Sequence, residues 1–254
     1  ETLRQATGGG LDLLGLPQAK APATFGARIQ IMGGVAPAFA DCSVKAQPAA
    51  DTMYFLNRRF GLGLSSYDSV DPKATLSALA HAMLFNFPNA ATEAAAAPAA
   101  EPLKPELRTW FEQAGILIGR PAAVSACKLG VALKGGHNAE HHNHNDVGSY
   151  VAVIGERAVL LDPGAETYTA RTFSSKRYES KLLNSYGHPV PVVAGQLQRT
   201  GREAKGKVLR ADFSDTADTL QLDISSAYAV KELSKLERTF VYSREGAGKL
   251  TVTY

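Results

Sequence analysis

This sequence predicts an α+β fold, with helices in the first part of the chain and a large antiparallel β-sandwich in the second. Three observations carry that reading. Apolar residues recur at helical spacing only before Gly115. From Gly115 onward the chain breaks into short β-branched and aromatic runs: GILIGR, AVSACKLGVAL, VGSYVAVIG, RAVLLD, PVPVVAG, KVLRADF, TLQLDI, RTFVYS and KLTVTY. Gly, Asp, Ser and Pro separate these runs, and several alternate apolar with polar residues, as strands with one solvated face do. Helices followed by strands, rather than alternating with them, argue against a parallel α/β sheet. The division expected is a helical region over 1–114 and a sheet region over 115–254.

The elements follow in order. Residues 1–48 are rich in Gly, Ala and Pro and read as loops and short elements. From Pro48 the pattern turns helical: Met53, Leu56 and Phe60 share a face, and Gly61 is placed to end the helix. Asp71-Pro72 gives an N-cap and a first-turn proline to a second helix, with Leu76, Leu79, Ala80, Met83 and Leu84 on its apolar stripe and His81 off it. The Ala-rich run 91–102, broken by Pro98, reads as a helix end and a linker. A third helix or helical turn is expected over 105–111. Beyond that the strands begin.

Composition sets outer bounds. The chain has 254 residues, 45% of them hydrophobic, so it can build a substantial core. Lys and Arg number 27 against 24 Asp and Glu, and a net charge of +3 is too mild to indicate a nucleic-acid partner. Cys42 and Cys127 lie far apart without metal-ligand spacing and read as free buried thiols rather than a disulfide. No apolar run is long enough for a membrane-spanning helix. The first residues, ETLRQATGGG, lack both Met and the features of a signal peptide, so the chain is expected to be a processed or excised piece. The closing run KLTVTY reads as a sheet cut in mid-course, which gives the same expectation.

Chemistry concentrates between Gly135 and His188. Five of the six histidines fall there: His137, His141, His142, His144 and His188. Histidine is both a common metal ligand and the side chain that titrates near neutrality. If the stretch is a strand, His142 and His144 share a face and His141 points away. His144, Asp162 and His188 make a two-histidine, one-carboxylate set of the kind that suits Zn²⁺ with one remaining position. The competing reading is a solvated polar loop, HHNHND, with Asp162 as an ordinary turn residue before Pro163-Gly164.

The order of motifs HHNHNDVGSY, LLDPGAETY, RYES and NSYGHPVPVV resembles the C-terminal β-sheet domain of heparinase II/III-like polysaccharide lyases. The resemblance covers residues 105–254, and the helical region is similar to the last helices of that family's toroid. It implies the end of an (α/α) toroid followed by an antiparallel β-sandwich, with an acidic polysaccharide or oligosaccharide bound in the cleft between them. It also implies a periplasmic or secreted location. By this likeness His144, Asp162 and His188 correspond to the zinc ligands, and His142 to a histidine facing the cleft. A tyrosine lying between the Asp and the last His serves the family as acid/base, and Tyr168 and Tyr178 both stand in that interval. RYES carries more of the family pattern than ETY, which leans the choice toward Tyr178. The family's remaining active-site Asn, His and Tyr come from toroid helices. This chain offers only His81, Tyr54 and Tyr67 before residue 135, so most of the toroid is expected to be missing and residues 1–254 alone to be a poor catalyst.

The implied reaction is β-elimination at a uronate, which needs a group to neutralise the carboxylate, a base for the C5 proton and an acid for the departing oxygen. Asn143, Arg177 and Asn184 are the polar candidates for substrate contact, with His137 as a fourth. An Arg177 next to Tyr178, or zinc near Tyr168, would lower a tyrosine pKa. Plainer readings stand beside these: half-buried sheet tyrosines, Asn184 capping a turn with Ser185, and Arg177 paired with Glu179 or Glu166. Zinc is expected to be mainly structural. Two other functions fit the same residues: a noncatalytic carbohydrate-binding or structural sheet domain that keeps the zinc cluster, and a metal-dependent hydrolase or oxygenase whose open metal position faces a cleft.

Overall fold

The computed structural model describes residues 2–68 and 106–254. The Asp71-Pro72 helix, His81 and the Ala-rich run 91–102 lie outside them. The chain divides into two compact units, one of residues 1–28 and 47–104, the other of Ile29–Ala46 and Pro105–Tyr254. This differs from a simple cut at residue 114: an early segment of the chain belongs with the sheets.

The first unit contains α1 (Thr2–Ala6), α2 (Lys20–Ala23), α3 (Phe25–Arg28) and α4 (Ala50–Phe60). α4 forms where the apolar spacing places it, and it buries Met53, Phe55 and Leu56 against Leu14, Ala23, Ala27, Phe60, Leu64 and Tyr67. It stops at Gly61, which takes the left-handed conformation (φ 59°, ψ 48°) that costs glycine little. Leu62 N–H then returns to the Asn57 carbonyl at 2.9 Å. The Asn57 side chain exchanges two hydrogen bonds with the Leu64 backbone, at 2.8 and 3.0 Å, and so fixes the chain leaving the helix. Among the described residues the helices are short, and a toroid is not displayed.

The second unit holds eleven strands: β1 (Arg108–Phe111), β2 (Ile116–Gly119), β3 (Leu129–Lys134), β4 (His137–Asn138), β5 (Tyr150–Ile154), β6 (Arg157–Leu160), β7 (Gly201–Lys205), β8 (Lys207–Phe213), β9 (Ala217–Asp223), β10 (Glu237–Ser243) and β11 (Lys249–Thr253). All pairings are antiparallel, in a five-stranded sheet ordered β1-β2-β3-β5-β6, a four-stranded sheet ordered β11-β10-β9-β8 and a small β4-β7 pair. The expected helix at 105–111 is therefore wrong. Arg108–Phe111 is a strand in register with β2, Arg108 opposite Gly119 and Phe111 opposite Ile116. Its Thr, Trp and Phe favour a pleated surface, and four residues alternating between two packed faces leave no helical stripe to satisfy. Trp110 packs into the main core and Phe111 into a second one on the other side.

That alternation explains the whole five-stranded sheet. Leu117, Val131 and Leu133 face the four-stranded sheet and meet Leu220, Leu222, Phe240 and Tyr242, which makes the sandwich core. Ile118, Ala132, Val151 and Val153 face the other way. They are covered by Ile31, with Ile29, Met32, Val35 and Phe39 around it, all from the early segment 29–46. The middle of the sheet is thus buried on both faces, and the unbroken apolar run of β3 follows from that. Both cysteines are free, Cys127 buried and Cys42 half-buried. Among the described residues no helix is long and apolar enough to cross a membrane.

One buried ion cluster ties β1 to the second sheet. Asp218 is fully buried and accepts from Arg108 Nε at 2.7 Å and from Arg244 Nη2. Arg244 also donates to the Arg120 carbonyl at 2.6 Å and the Leu107 carbonyl at 2.8 Å. Removing the carboxylate leaves a buried guanidinium without its counter-charge. Asp218→Ala is expected to destabilise the sheet unit by about 3–5 kcal/mol. Urea denaturation followed by tryptophan fluorescence checks this, and a loss under ~1 kcal/mol would show the cluster to be dispensable.

Candidate functional site

The HHNHND stretch is a loop between β4 and β5, not a strand, so the expected alternation of His141, His142 and His144 does not apply. Residues 143–149 are nonetheless all buried. A buried loop must find partners for its polar backbone, and here side chains and neighbouring backbone both supply them. Gln198 accepts from Val147 N–H at 3.0 Å and donates to the Val147 carbonyl at 2.8 Å. Asn138 accepts from Asp146 N–H at 3.2 Å, and Asn145 N–H reaches the Leu183 carbonyl at 2.9 Å. Below the loop, Lys134 is almost fully buried and ion-paired with Asp146. Burial works to neutralise that ammonium, but Asp146 and Glu140 outweigh it and raise its pKa.

Within this frame His144, Asp162 and His188 converge as the sequence implied. All three are buried, and one potential ligand atom from each lies within 4.8 Å of the others. His188 Nδ1 is 2.9 Å from Asp162 Oδ2, and His144 Nδ1 is 3.9 Å from Asp162 Oδ1. Asp162 is at once a turn residue and a member of the group: its Oδ1 accepts from Gly164 N–H at 3.1 Å. Gly164 is required there, since its φ is +66° and a Cβ would collide with the Cys42 carbonyl. His144 Nδ1 and His188 Nε2 are buried without a hydrogen-bond partner. Orphaned imidazole nitrogens beside a buried carboxylate fit a zinc ion, whose ligands are N, S and carboxylate O. Burial pushes the His144 pKa below its ordinary value against the pull of the acids nearby, in the direction of the neutral ring that a metal needs.

The residue that sequence reasoning missed is Asp41. It comes from the 29–46 segment, and its side chain is 3% exposed. Its Oδ1 lies 3.0 Å from His144 Nε2 and accepts from Arg177 Nη2 at 2.7 Å. Its Oδ2 accepts from the Tyr168 hydroxyl at 3.0 Å and lies 3.2 Å from His142 Nδ1. Its own N–H donates to the His142 carbonyl at 3.2 Å. Burial would raise the pKa of this carboxyl, but hydrogen bonds from Arg177, His144 and Tyr168 bring it below the usual carboxylate range. Nothing in the sequence marks it, because it stands more than a hundred positions from its partners in an Ala- and Pro-rich stretch.

The other candidates sort by contact. His142, with its side chain 59% exposed, has its ring stacked on Tyr168 at 6.3 Å, and the Tyr168 hydroxyl is 3.2 Å from His142 Nδ1. Tyr168 is 47% exposed and meets the edge of exposed Phe173 at 4.9 Å. Tyr178 is half-buried and donates to Asn143 Oδ1 at 3.0 Å. Arg177 does not bring a tyrosine pKa down as expected. Burial raises Tyr178 against the pull of Arg177, and burial together with the Asp41 carboxylate raises Tyr168. Arg177 does not pair with Glu179 or Glu166; it is taken by Asp41 and by the Thr172, His142 and Asn143 carbonyls. Glu166 instead pairs with Arg171 at 2.8 Å and accepts from Ser180 at 2.6 Å. Asn143 is buried, with its amide donating to the His144 carbonyl. Asn184 caps the turn at Ser185–Gly187, accepting from Tyr186 N–H at 2.9 Å, as the plainer reading had it. His137 sits in β4, its Nδ1 accepting from Ala139 N–H at 3.1 Å, and no hydrogen bond among the described residues joins it to the cluster.

No protein-family model matches the chain, and no curated protein matches it. Solved structures do. A structure titled heparinase III aligns over 99% of this chain and 36% of its own, at 13% identity and a TM-score of 0.58. The heparan sulfate lyase HepC from Pedobacter heparinus aligns over 86% of this chain and 29% of its own, at 14% identity and a TM-score of 0.55. A heparinase III gene product with methylated lysines aligns over 85% and 28%, at 14% identity and a TM-score of 0.53. The chain thus spans about a third of the length of the lyases it matches. Its fold is that of part of a heparinase III-type structure, the architecture that the motif order implied for the sheet region.

Proposed function

We propose that this chain is the sheet-domain part of a polysaccharide lyase that cleaves a uronate-containing glycan by β-elimination. The observation that carries the reading is the pairing of a buried His144–Asp162–His188 group with an exposed His142–Tyr168 pair through one carboxylate, Asp41. Zinc, when bound, would lock together three side chains from separate segments and so hold the loop that carries His142. Its ligands are too deeply buried to offer substrate an open position, which weighs against a hydrolase or oxygenase. A noncatalytic sheet domain accounts for the metal group but not for an exposed imidazole and phenol sharing a buried acid.

In this reading His142 donates Nδ1–H to Asp41, which leaves Nε2 as the base for the C5 proton. The electrons of the C5–H bond form the C4=C5 double bond, and the C4–O4 bond breaks with its electron pair on O4. Tyr168, kept protonated by its raised pKa, supplies a proton to that oxygen. Tyr168 is taken over Tyr178 because it is exposed and its hydroxyl lies 3.2 Å from His142 Nδ1, whereas Tyr178 is half-buried against Asn143. Arg177 is committed to Asp41, so the donor that neutralises the uronate carboxylate comes from outside the sheet unit, as the family resemblance implies. His137, Asn143 and Asn184 then serve the loops they hold rather than the glycan.

Two outcomes are expected. Protein purified without chelators should carry close to one zinc per chain by elemental analysis, and His188→Ala should abolish it. Full zinc occupancy in that variant would remove the assigned ligand set. In the longest natural chain, assayed on heparan sulfate, alginate, hyaluronate and glucuronan by the ultraviolet absorbance of the unsaturated product, His142→Asn and Tyr168→Phe should each lower turnover by about 10²–10⁴-fold, and Tyr178→Phe by less. Wild-type turnover by Tyr168→Phe, or no unsaturated product from any of the four glycans, would refute the mechanism.

A further inference from the structure

The structure assigns to Asp41 the role of a positioning residue that sets the tautomer of His144 and joins the metal group to the reacting pair. This deepens the lyase reading and rests on its metal group. A carboxylate only accepts hydrogen bonds, and Asp41 Oδ1 is 3.0 Å from His144 Nε2. A His144 ring that ligates a metal must therefore carry its one hydrogen on Nε2. Its lone pair is then on Nδ1, the nitrogen that is buried without a partner and 3.9 Å from Asp162 Oδ1. A carboxylate behind an imidazole in this way orients the ring and raises its basicity toward a metal.

Asp41 is itself held on every side. Arg177 supplies the counter-charge at 2.7 Å, the Tyr168 hydroxyl occupies the other oxygen at 3.0 Å, and the Asp41 N–H is tied to the His142 carbonyl at 3.2 Å. The carboxylate cannot swing toward Tyr168 without leaving His144, or the reverse. Metal binding and the placement of the His142–Tyr168 pair are thus set by one side chain. Asp41→Asn tests this, because an amide keeps the shape but turns one of the two acceptors into a donor and removes the charge that Arg177 and His144 meet.

The first measurement needs no variant. In metal-free wild-type protein, long-range ¹H–¹⁵N correlations of the histidine rings should show His144, assigned by its loss in His144→Gln, as the Nε2–H tautomer. The second is zinc affinity by competition with a chromophoric chelator, where Asp41→Asn should bind about 10–100-fold more weakly than wild type, and Asp41→Glu should recover part of the loss. An Nδ1–H tautomer for His144, or zinc affinity within twofold of wild type in a folded Asp41→Asn protein, overturns the proposal. Should Asp41→Asn fail to fold by far-ultraviolet circular dichroism, the wild-type tautomer decides alone. Neither measurement involves glycan cleavage. A protein that passes both yet cleaves no glycan refutes the lyase reading and leaves the role of Asp41 standing.

Discussion

The loop from Asn143 to Ser149 is buried without a strand ladder to satisfy it, and the sheet unit is arranged around that constraint. Each polar group it brings inside costs desolvation free energy unless something meets it. Gln198 and Asn138 meet the backbone of Val147 and Asp146, Leu183 meets Asn145, and Lys134 meets the Asp146 side chain. These partners come from β3, β4 and the connection leading into β7. The loop is therefore held from several directions by the protein's own groups, and His144 is delivered to Asp162 and His188 by a segment so held. The small β4-β7 pair, modest as a sheet, makes sense as part of that clamp, since it carries Asn138.

The 29–46 segment performs two tasks with one course. Ile31 and its neighbours cover the outer face of the five-stranded sheet, and ten residues later the same strand of chain delivers Asp41 to the site. Packing thus fixes the position of a charged group. The Cys42 carbonyl accepts from Ala165 N–H at 3.0 Å, just after the turn that holds Asp162, so the segment is stitched to the metal loop by its backbone as well. Burial and the charge of Asp162 push the Cys42 thiol up, and Cys42 is not one of the three residues of the metal group.

The sequence made the sheets legible through alternation and turn residues, and it made α4 legible through the Met53–Leu56–Phe60 stripe and Gly61. It misjudged Arg108–Phe111 because so short a segment carries little periodicity of its own, and pairing with β2 decides the matter. The metal group was visible because His144, Asp162 and His188 sit in recognisable local contexts. Asp41 was not, because long-range packing alone brings it to the site. Its absence from the sequence reading had consequences: Arg177 looked available for Glu166, Glu179 or substrate, and the carboxylate that helps to raise the Tyr168 pKa went uncounted. A charge found only in three dimensions changed the assignment of Arg177 and the electrostatics of Tyr168.

His142 occupies the left-handed region of backbone space, with φ at 55°. For an L-residue with a Cβ that seat costs on the order of 1–2 kcal/mol, and glycine or asparagine would fill it more comfortably. Local folding preference therefore does not explain an imidazole at this position; what the backbone asks for and what occupies it disagree. The position offers a clean separation of two kinds of constraint. Residues ranked by how well they tolerate this conformation, with glycine first and valine or isoleucine last, should order the stability of the loop. The same residues ranked by their ability to exchange a proton near neutrality should order its chemistry, and the two rankings run nearly independently of each other.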